Sequence, residues 1–376
     1  MAMLSEPLRA KAASVTADIL SYLMRCRETQ PGEYYGSFWS AKAYHGPRLD
    51  YHAGGSHHQR TAGSAGLGLW LAGQAAADPE MQRAAELAFD WLAARQGPRG
   101  GYPEIQNNEQ PSNWEYTGLE ELSTIETAFV VHGLSQALGR GLAPKKSYMD
   151  VLQRAAHWQL SIEWPPGSGV FPHHERSPYN TLNANLHAAE TLACAYTALE
   201  QVYGRRLNLF LEGARRALAR TLLCQWPDGC FPYREGAGVT INYTSLVLWC
   251  LLNTLDTVPA GARRVLATTG DLPAVCERAC AFLRSCVDAE GRLLWETNET
   301  STAKHNLWTY LITANVLCRQ GGEDHRQAAA RLLEYAFSQR TSSGLLPMRD
   351  CGEEITECAF MQADMLLFLL PLTPRC

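Results

Sequence analysis

Nowhere does the 376-residue chain group Lys or Arg with interleaved aromatics, and its formal net charge is −5. The electrostatic footprint of a nucleic-acid partner is therefore missing. Runs of about 18 apolar residues, the length a membrane span requires, are absent too; MLLFLLPL near the C-terminus is too short and reads as a buried last helix. The opening MAMLSEPLRAKAASVTADIL lacks the apolar core of a secretory signal, so the expected setting is cytoplasmic, with no membrane partner. There are 12 cysteines but no C-x-x-C pair, and Cys276, Cys280 and Cys286 are spaced for a buried helix face rather than for structural zinc. No metal and no cofactor is expected, and the cysteines read as reduced core thiols. Linkers rich in Ser/Gly or charge are also missing, which favours one domain over residues 1–376.

What the chain does contain is a repeated turn. GSFW at Gly36, GGYP at Gly100, GVFP at Gly169, GCFP at Gly229, GRLL at Gly291 and GLLP at Gly344 share one pattern, with separations of 64, 69, 60, 62 and 53 residues. Each interval holds two helices and two connections. Between the turns, apolar residues recur at the helical period, as in MQRAAELAFDWLAARQ and STIETAFVVHGLSQALG. The pattern predicts twelve helices near 5–27, 58–76, 79–96, 118–138, 145–161, 181–203, 207–225, 240–256, 272–287, 302–319, 324–340 and 355–370.

Segments after the turns are rich in Ala, Gly, Ser and Thr and nearly free of charge, as helices ringed by neighbours should be; segments before them carry more Arg, Lys, Glu and Gln. The predicted fold is all-α, an (α/α)6 toroid of six inner and six outer helices. Connections at one end, such as AAADP and RQGGED, are mostly short, whereas those after the repeated turns are longer and carry His, Glu, Arg, Asn and Tyr. Long polar loops on a rigid scaffold are where function concentrates.

Those loops all lead into inner-helix N-termini and should converge on one mouth, made positive by the helix ends. The residues expected to bind substrate there are His58, Arg60, Glu104, Tyr116, Glu175, Asn183, Asn185, Tyr233, Arg234, Trp295, Trp308 and Arg349. Those expected to do chemistry are His174, His187, Glu190, Glu235, Glu296 and His305. Aromatics mixed with carboxylates, amides and arginines suit a sugar cleft, where rings stack on C–H faces and polar groups read hydroxyls. Helix caps and core packing also account for single His and Trp residues at such places. His187 is harder to explain that way, because it lies two turns into an inner helix, on the face of Asn183 and Glu190, among Ala and Leu.

At NANLHAAETLACAY the chain resembles the N-acylglucosamine 2-epimerase-like sugar epimerases and isomerases, whose middle inner helix carries an Asn-x-x-Met-His-x-x-Glu-Ala type motif. Here the matching positions are Asn183, Asn185, His187 and Glu190, with Leu186 in place of Met. HHQRTAGSAGLGLWLAG, with Arg60, is similar to that family's first inner helix. The resemblance implies a toroid acting on sugars by proton transfer. Two departures stand out: TINYTSLVLWCLL has Asn242 and Ser245 where the family has a Gly-His…Glu motif, and the last inner helix has no histidine. DGCFPY also resembles a turn of the terpenoid-cyclase toroids, although the Asp-rich motifs of those enzymes are absent.

The leading expectation is acid/base chemistry on a sugar or a sugar-like polyhydroxylated small molecule. In an epimerase or isomerase, His187 with His305 or His174 would move the proton and Arg60 or Arg234 would hold the enediolate. A glycoside hydrolase or polysaccharide lyase would instead pair two of Glu104, Glu175, Glu235 and Glu296 across the scissile bond. A terpenoid-cyclase-like toroid and a non-catalytic binding or scaffold toroid are the remaining alternatives.

Overall fold

The computed structural model describes residues 4–39, 57–103, 121–175, 177–238, 241–293, 307–347 and 358–373. Thirteen α-helices lie among them: α1 Glu6–Arg25, α2 Gln59–Ala75, α3 Pro79–Arg95, α4 Thr124–Gly139, α5 Lys146–Ser161, α6 Leu182–Tyr203, α7 Asn208–Leu222, α8 Ile241–Thr257, α9 Ala260–Leu266, α10 Leu272–Ser285, α11 Leu307–Gln320, α12 Glu323–Ser338 and α13 Ala359–Leu369. Twelve correspond to the predicted helices. The short α9 was not anticipated: seven residues after Pro259 are too few to show a helical period.

Two outer helices, α3 and α10, announce their starts. Asp78 accepts hydrogen bonds from Glu80 N (2.8 Å) and Met81 N (3.2 Å) ahead of Pro79, and Asp271 accepts from Ala274 N (3.1 Å) at the head of α10. Inner helices differ in having no solvent face. Every residue of α6 from Leu182 to Leu199 is buried.

α2 packs on α4, α4 on α6, α6 on α8, α8 on α11, α11 on α13, and α13 back on α2, a closed inner ring. Outside it, α3 packs on α5, α5 on α7, α10 on α12 and α12 on α1. The chain is an (α/α)6 toroid.

The repeated turns lock the two layers together. Gly229 has φ +98°, and a Cβ on it would overlap the carbonyl oxygen of Arg278 on α10; Gly100, Gly169 and Gly291 meet Arg154, Arg216 and Arg331 on the following outer helices in the same way. At the seam Gly344 sits against Asp18 of α1, which also pairs with Arg340. Two residues after the glycine, the backbone N–H turns inward to an inner helix: Tyr102 to Thr127 Oγ1 (2.9 Å), Phe171 to Asn185 Oδ1 (2.7 Å) and Phe231 to Thr244 Oγ1 (3.0 Å). Buried backbone donors are thus answered turn by turn.

Alternate inner helices also meet across the axis. Phe129 of α4 stacks on Trp249 of α8 (centroids 5.9 Å apart), and Phe368 of α13 meets the same indole edge-on at 5.4 Å. All three are buried and form an aromatic floor within the ring.

Candidate functional site

Above the floor, at the N-terminal end of the inner helices, lies Arg60. Its position in the first turn of α2 aims the guanidinium inward, over Phe129 (3.7 Å to the centroid) and beside Phe360 (4.8 Å). Asp364 of α13 grips it with both oxygens, Nε–Oδ1 at 3.1 Å and Nη2–Oδ2 at 2.5 Å, and Glu126 of α4 stands 3.9 Å from Nη1. Burial pushes the Asp364 carboxyl above its ordinary range, and Arg60 opposes that rise. Three inner helices therefore converge on one cation.

A second polar group occupies the floor and the level beneath it. The His187 imidazole is buried, with Phe129 5.2 Å and Trp249 6.4 Å away between ring centroids. Its Nδ1 lies 3.3 Å from Cys250 Sγ of α8 and 3.8 Å from Glu190 Oε2, one turn further along α6. The other Glu190 oxygen, Oε1, is 2.6 Å from Nδ1 of His132 on α4. Burial first, then the positive field of Arg60 and the neighbouring His132 and His173, pushes His187 well below the usual imidazole range, so the ring is neutral near pH 7. The Cys250 thiol is pushed well above its usual range, by burial and then by Glu190, and stays protonated. His187, Glu190 and Cys250 offer donor atoms within 4.8 Å of one another, a spacing that also suits a borderline divalent cation. The thiol–imidazole contact accounts for that spacing without an ion.

The other expected residues divide into three groups. His58 is buried at the head of α2, 5.3 Å from Phe360, and Trp308 is half-buried at the head of α11, 6.3 Å from Phe368. His174 is buried and stacked on His173 at 4.2 Å, and Asn183 is buried in the first turn of α6. These accompany Arg60 at the inner-helix heads. Tyr233 and Arg234 form a rim group, Tyr233 against Tyr243 (4.3 Å) and Arg234 over Tyr179 (4.5 Å). Glu235 and Glu175 are held by arginines of the outer layer, Glu235 by Arg220 of α7 and Glu175 by Arg99 just beyond α3. Glu104, Tyr116, Trp295, Glu296, His305 and Arg349 lie outside the described residues.

Asn185 requires a correction. Its Oδ1 accepts from Phe171 N, and its Nδ2 donates to Ala217 O (3.0 Å) and Thr221 Oγ1 (2.9 Å) on α7. The amide is fully engaged between a turn and an outer helix, so it is a structural member of the turn system rather than a substrate contact. Conversely, His132, Glu126, Cys250 and Asp364 belong to the interior constellation and were not anticipated. An imidazole in AFVVHGL and a carboxylate in FMQADMLLFLL are polar residues in apolar helices, which is the signal that could have found them.

At the level of sequence, neither a scan against protein-family models nor a search of curated proteins finds a match. Solved structures do resemble the chain. The cellobiose 2-epimerase of Bacillus thermoamylovorans superposes with a TM-score of 0.68 at 12% identity, covering 97% of this chain and 98% of that one. A D-mannose isomerase gives 0.66 at 13% identity, covering 96% and 97%. The unsaturated glucuronyl hydrolase of Bacillus sp. GL1 gives 0.62 at 13%, covering 97% and 96%. At such low identity these likenesses speak for the fold, and what they establish is that the chain carries the complete (α/α)6 toroid shared by those proteins.

Proposed function

We propose that the protein is an acid/base enzyme acting on a sugar or sugar-like polyhydroxylated small molecule, with proton transfer adjacent to a carbonyl as its reaction. One observation carries this reading. Ionisable side chains descend from Arg60 and Asp364 above the aromatic floor through His187 to Glu190 and His132, inside helices otherwise built of Ala, Leu, Phe and Trp. Burying such groups is costly, and packing alone gives no reason for them. The neighbouring folds of a cellobiose 2-epimerase and a D-mannose isomerase support the same class of substrate.

In this scheme the substrate opens to its carbonyl form above the floor. His187, neutral near pH 7, takes the proton beside the carbonyl, and Arg60, anchored by Asp364, steadies the enediolate oxygen. His174 or His305 returns the proton. Hydrolysis is the second reading, favoured by the arrival of two carboxylates, Glu126 and Asp364, from α4 and α13 at one guanidinium.

Incubation with D-mannose and with cellobiose in D₂O, followed by NMR, tests the proposal. Deuterium should enter at C2 as an epimer appears, or at C1 of the ketose as an isomer appears. Release of reducing sugar from cellobiose without C2 exchange would replace this reading with hydrolysis.

A further inference from the structure

We propose that His132 is a positioning residue for His187: acting through Glu190, it selects the His187 tautomer that carries hydrogen on Nδ1 and leaves Nε2 as the proton-accepting atom. The inference rests on the acid/base reading of His187.

The geometry points to this from both ends of the carboxylate. His132 stands in the third turn of α4, and its Nδ1–H reads as donating to Glu190 Oε1 across 2.6 Å, a short charge-assisted bond between neighbouring inner helices. That bond fixes the carboxylate plane. The remaining oxygen, Oε2, is turned to His187 Nδ1 at 3.8 Å, and Cys250 Sγ, 3.3 Å from Nδ1 and 3.7 Å from Nε2, has Glu190 as the acceptor for its own proton, which leaves the sulfur to accept from Nδ1–H. A carboxylate beside one ring nitrogen favours hydrogen on that nitrogen, the logic by which buried acids orient catalytic imidazoles.

During turnover the substrate C–H proton passes to Nε2, its electron pair remains on the enediolate, and the ring becomes an imidazolium that keeps its Nδ1–H. Glu190 meets the new charge without taking the proton, and the same proton count is restored when the intermediate is reprotonated. Arg60 from α2, His132 from α4 and His173 from the turn before α6 act on the charge of this ring; Glu190 on α6 itself and Cys250 from α8 stand against it, and Arg319 of α11 acts on those two. Glu190 is the acid that approaches the ring, with Oε2 3.8 Å from Nδ1, so its orientation bears on where the ring carries its hydrogen.

Two amide substitutions separate positioning from mere packing. An Asn amide nitrogen lies near the place of a histidine Nδ1, whereas a Gln amide reaches toward Nε2. His132→Asn should therefore preserve the bond to Glu190, and His132→Gln should not. Long-range ¹H–¹⁵N spectra of histidine-labelled protein, with the His187 signals assigned through His187→Gln, read the tautomer directly. We expect Nδ1–H in the wild type and in His132→Asn, and a mixed or reversed tautomer in His132→Gln. In the C2-exchange assay His132→Gln should lose roughly 10- to 100-fold in kcat with KM unchanged. The acid limb of its pH profile should move to lower pH, because the imidazolium is less stabilised. His132→Asn should recover most of both.

Identical tautomers and pH profiles in all three proteins would overturn the proposal, as would equal losses in both variants. Failure of the acid/base reading is visible separately: His187→Gln would then keep C2 exchange, while the tautomer of His187 would still report on His132.

Discussion

The turn belt and the ring interior treat polar atoms in opposite ways. At the turns, inward polar side chains answer backbone groups: Thr127, Asn185 and Thr244 accept from the N–H two residues past a glycine, and Gln96 and Gln225 each bridge two carbonyls. In the interior, ionisable side chains face one another, as His132 does Glu190 and Arg60 does Asp364, while Asn315 still answers a backbone carbonyl, Phe368 O. Asn183 Oδ1 and Thr191 Oγ1 are buried without a hydrogen-bond partner. A satisfied network holds a fold, whereas an incompletely satisfied one is where substrate chemistry finds its contacts.

Mutation should separate the two regions. The largest effect is expected at His187→Gln, which keeps volume but removes proton transfer. C2 exchange should fall roughly 10²–10⁴-fold while stability changes by no more than about 1 kcal/mol. Equal loss of stability and rate would erase the distinction. Next is Gly229→Val in the belt, which adds strain at φ +98° and overlaps the Arg278 carbonyl. Denaturant unfolding should show a loss of about 3 kcal/mol or more, with unchanged turnover per folded molecule at permissive temperature. Asn185→Ala strands three hydrogen-bonding partners at once. A loss of about 2–3 kcal/mol is expected in the same measurement, and a rise in KM instead would return Asn185 to the substrate site.

The smallest effect is a pH slope. The folded state holds His187 well below the ordinary imidazole value of 6.5, so the unfolded chain binds more protons between the folded pKa and 6.5. Stability contributed by the neutral ring is therefore present above pH 6.5 and lost as pH falls through that window, by about 1 kcal/mol per pH unit. Thermal melts from pH 7 downward should show the slope in the wild type and a shallower one in His187→Gln.

The toroid was legible in the sequence because its two signals are local. A glycine turn recurs at near-constant spacing, and each helix shows its own 3.6-residue period. The site was legible only where one helix suffices. His187 and Glu190 share a face at i, i+3 on α6, and Arg60 stands at a helix head. What escaped were partners from other helices: His132 and Cys250 approach His187 and Glu190 from α4 and α8, and Asp364 approaches Arg60 from a helix some 300 residues later in the chain. No periodicity connects them. Asn185 is a different case, since two residues before His187 corresponds to about 200° around a helix, and its outward face could have been read from that angle alone.

The aromatic floor has a consequence for traffic. A ring open at both ends could let a polymer thread through, but Phe129, Trp249 and Phe368 meet across this one and are each at most 2% exposed. Among the described residues the ring is thus closed at this level, and nothing can thread along the axis past the three rings. For the proposed chemistry, a substrate would then arrive and depart on one side of the rings, as a small molecule or as the loose end of a chain.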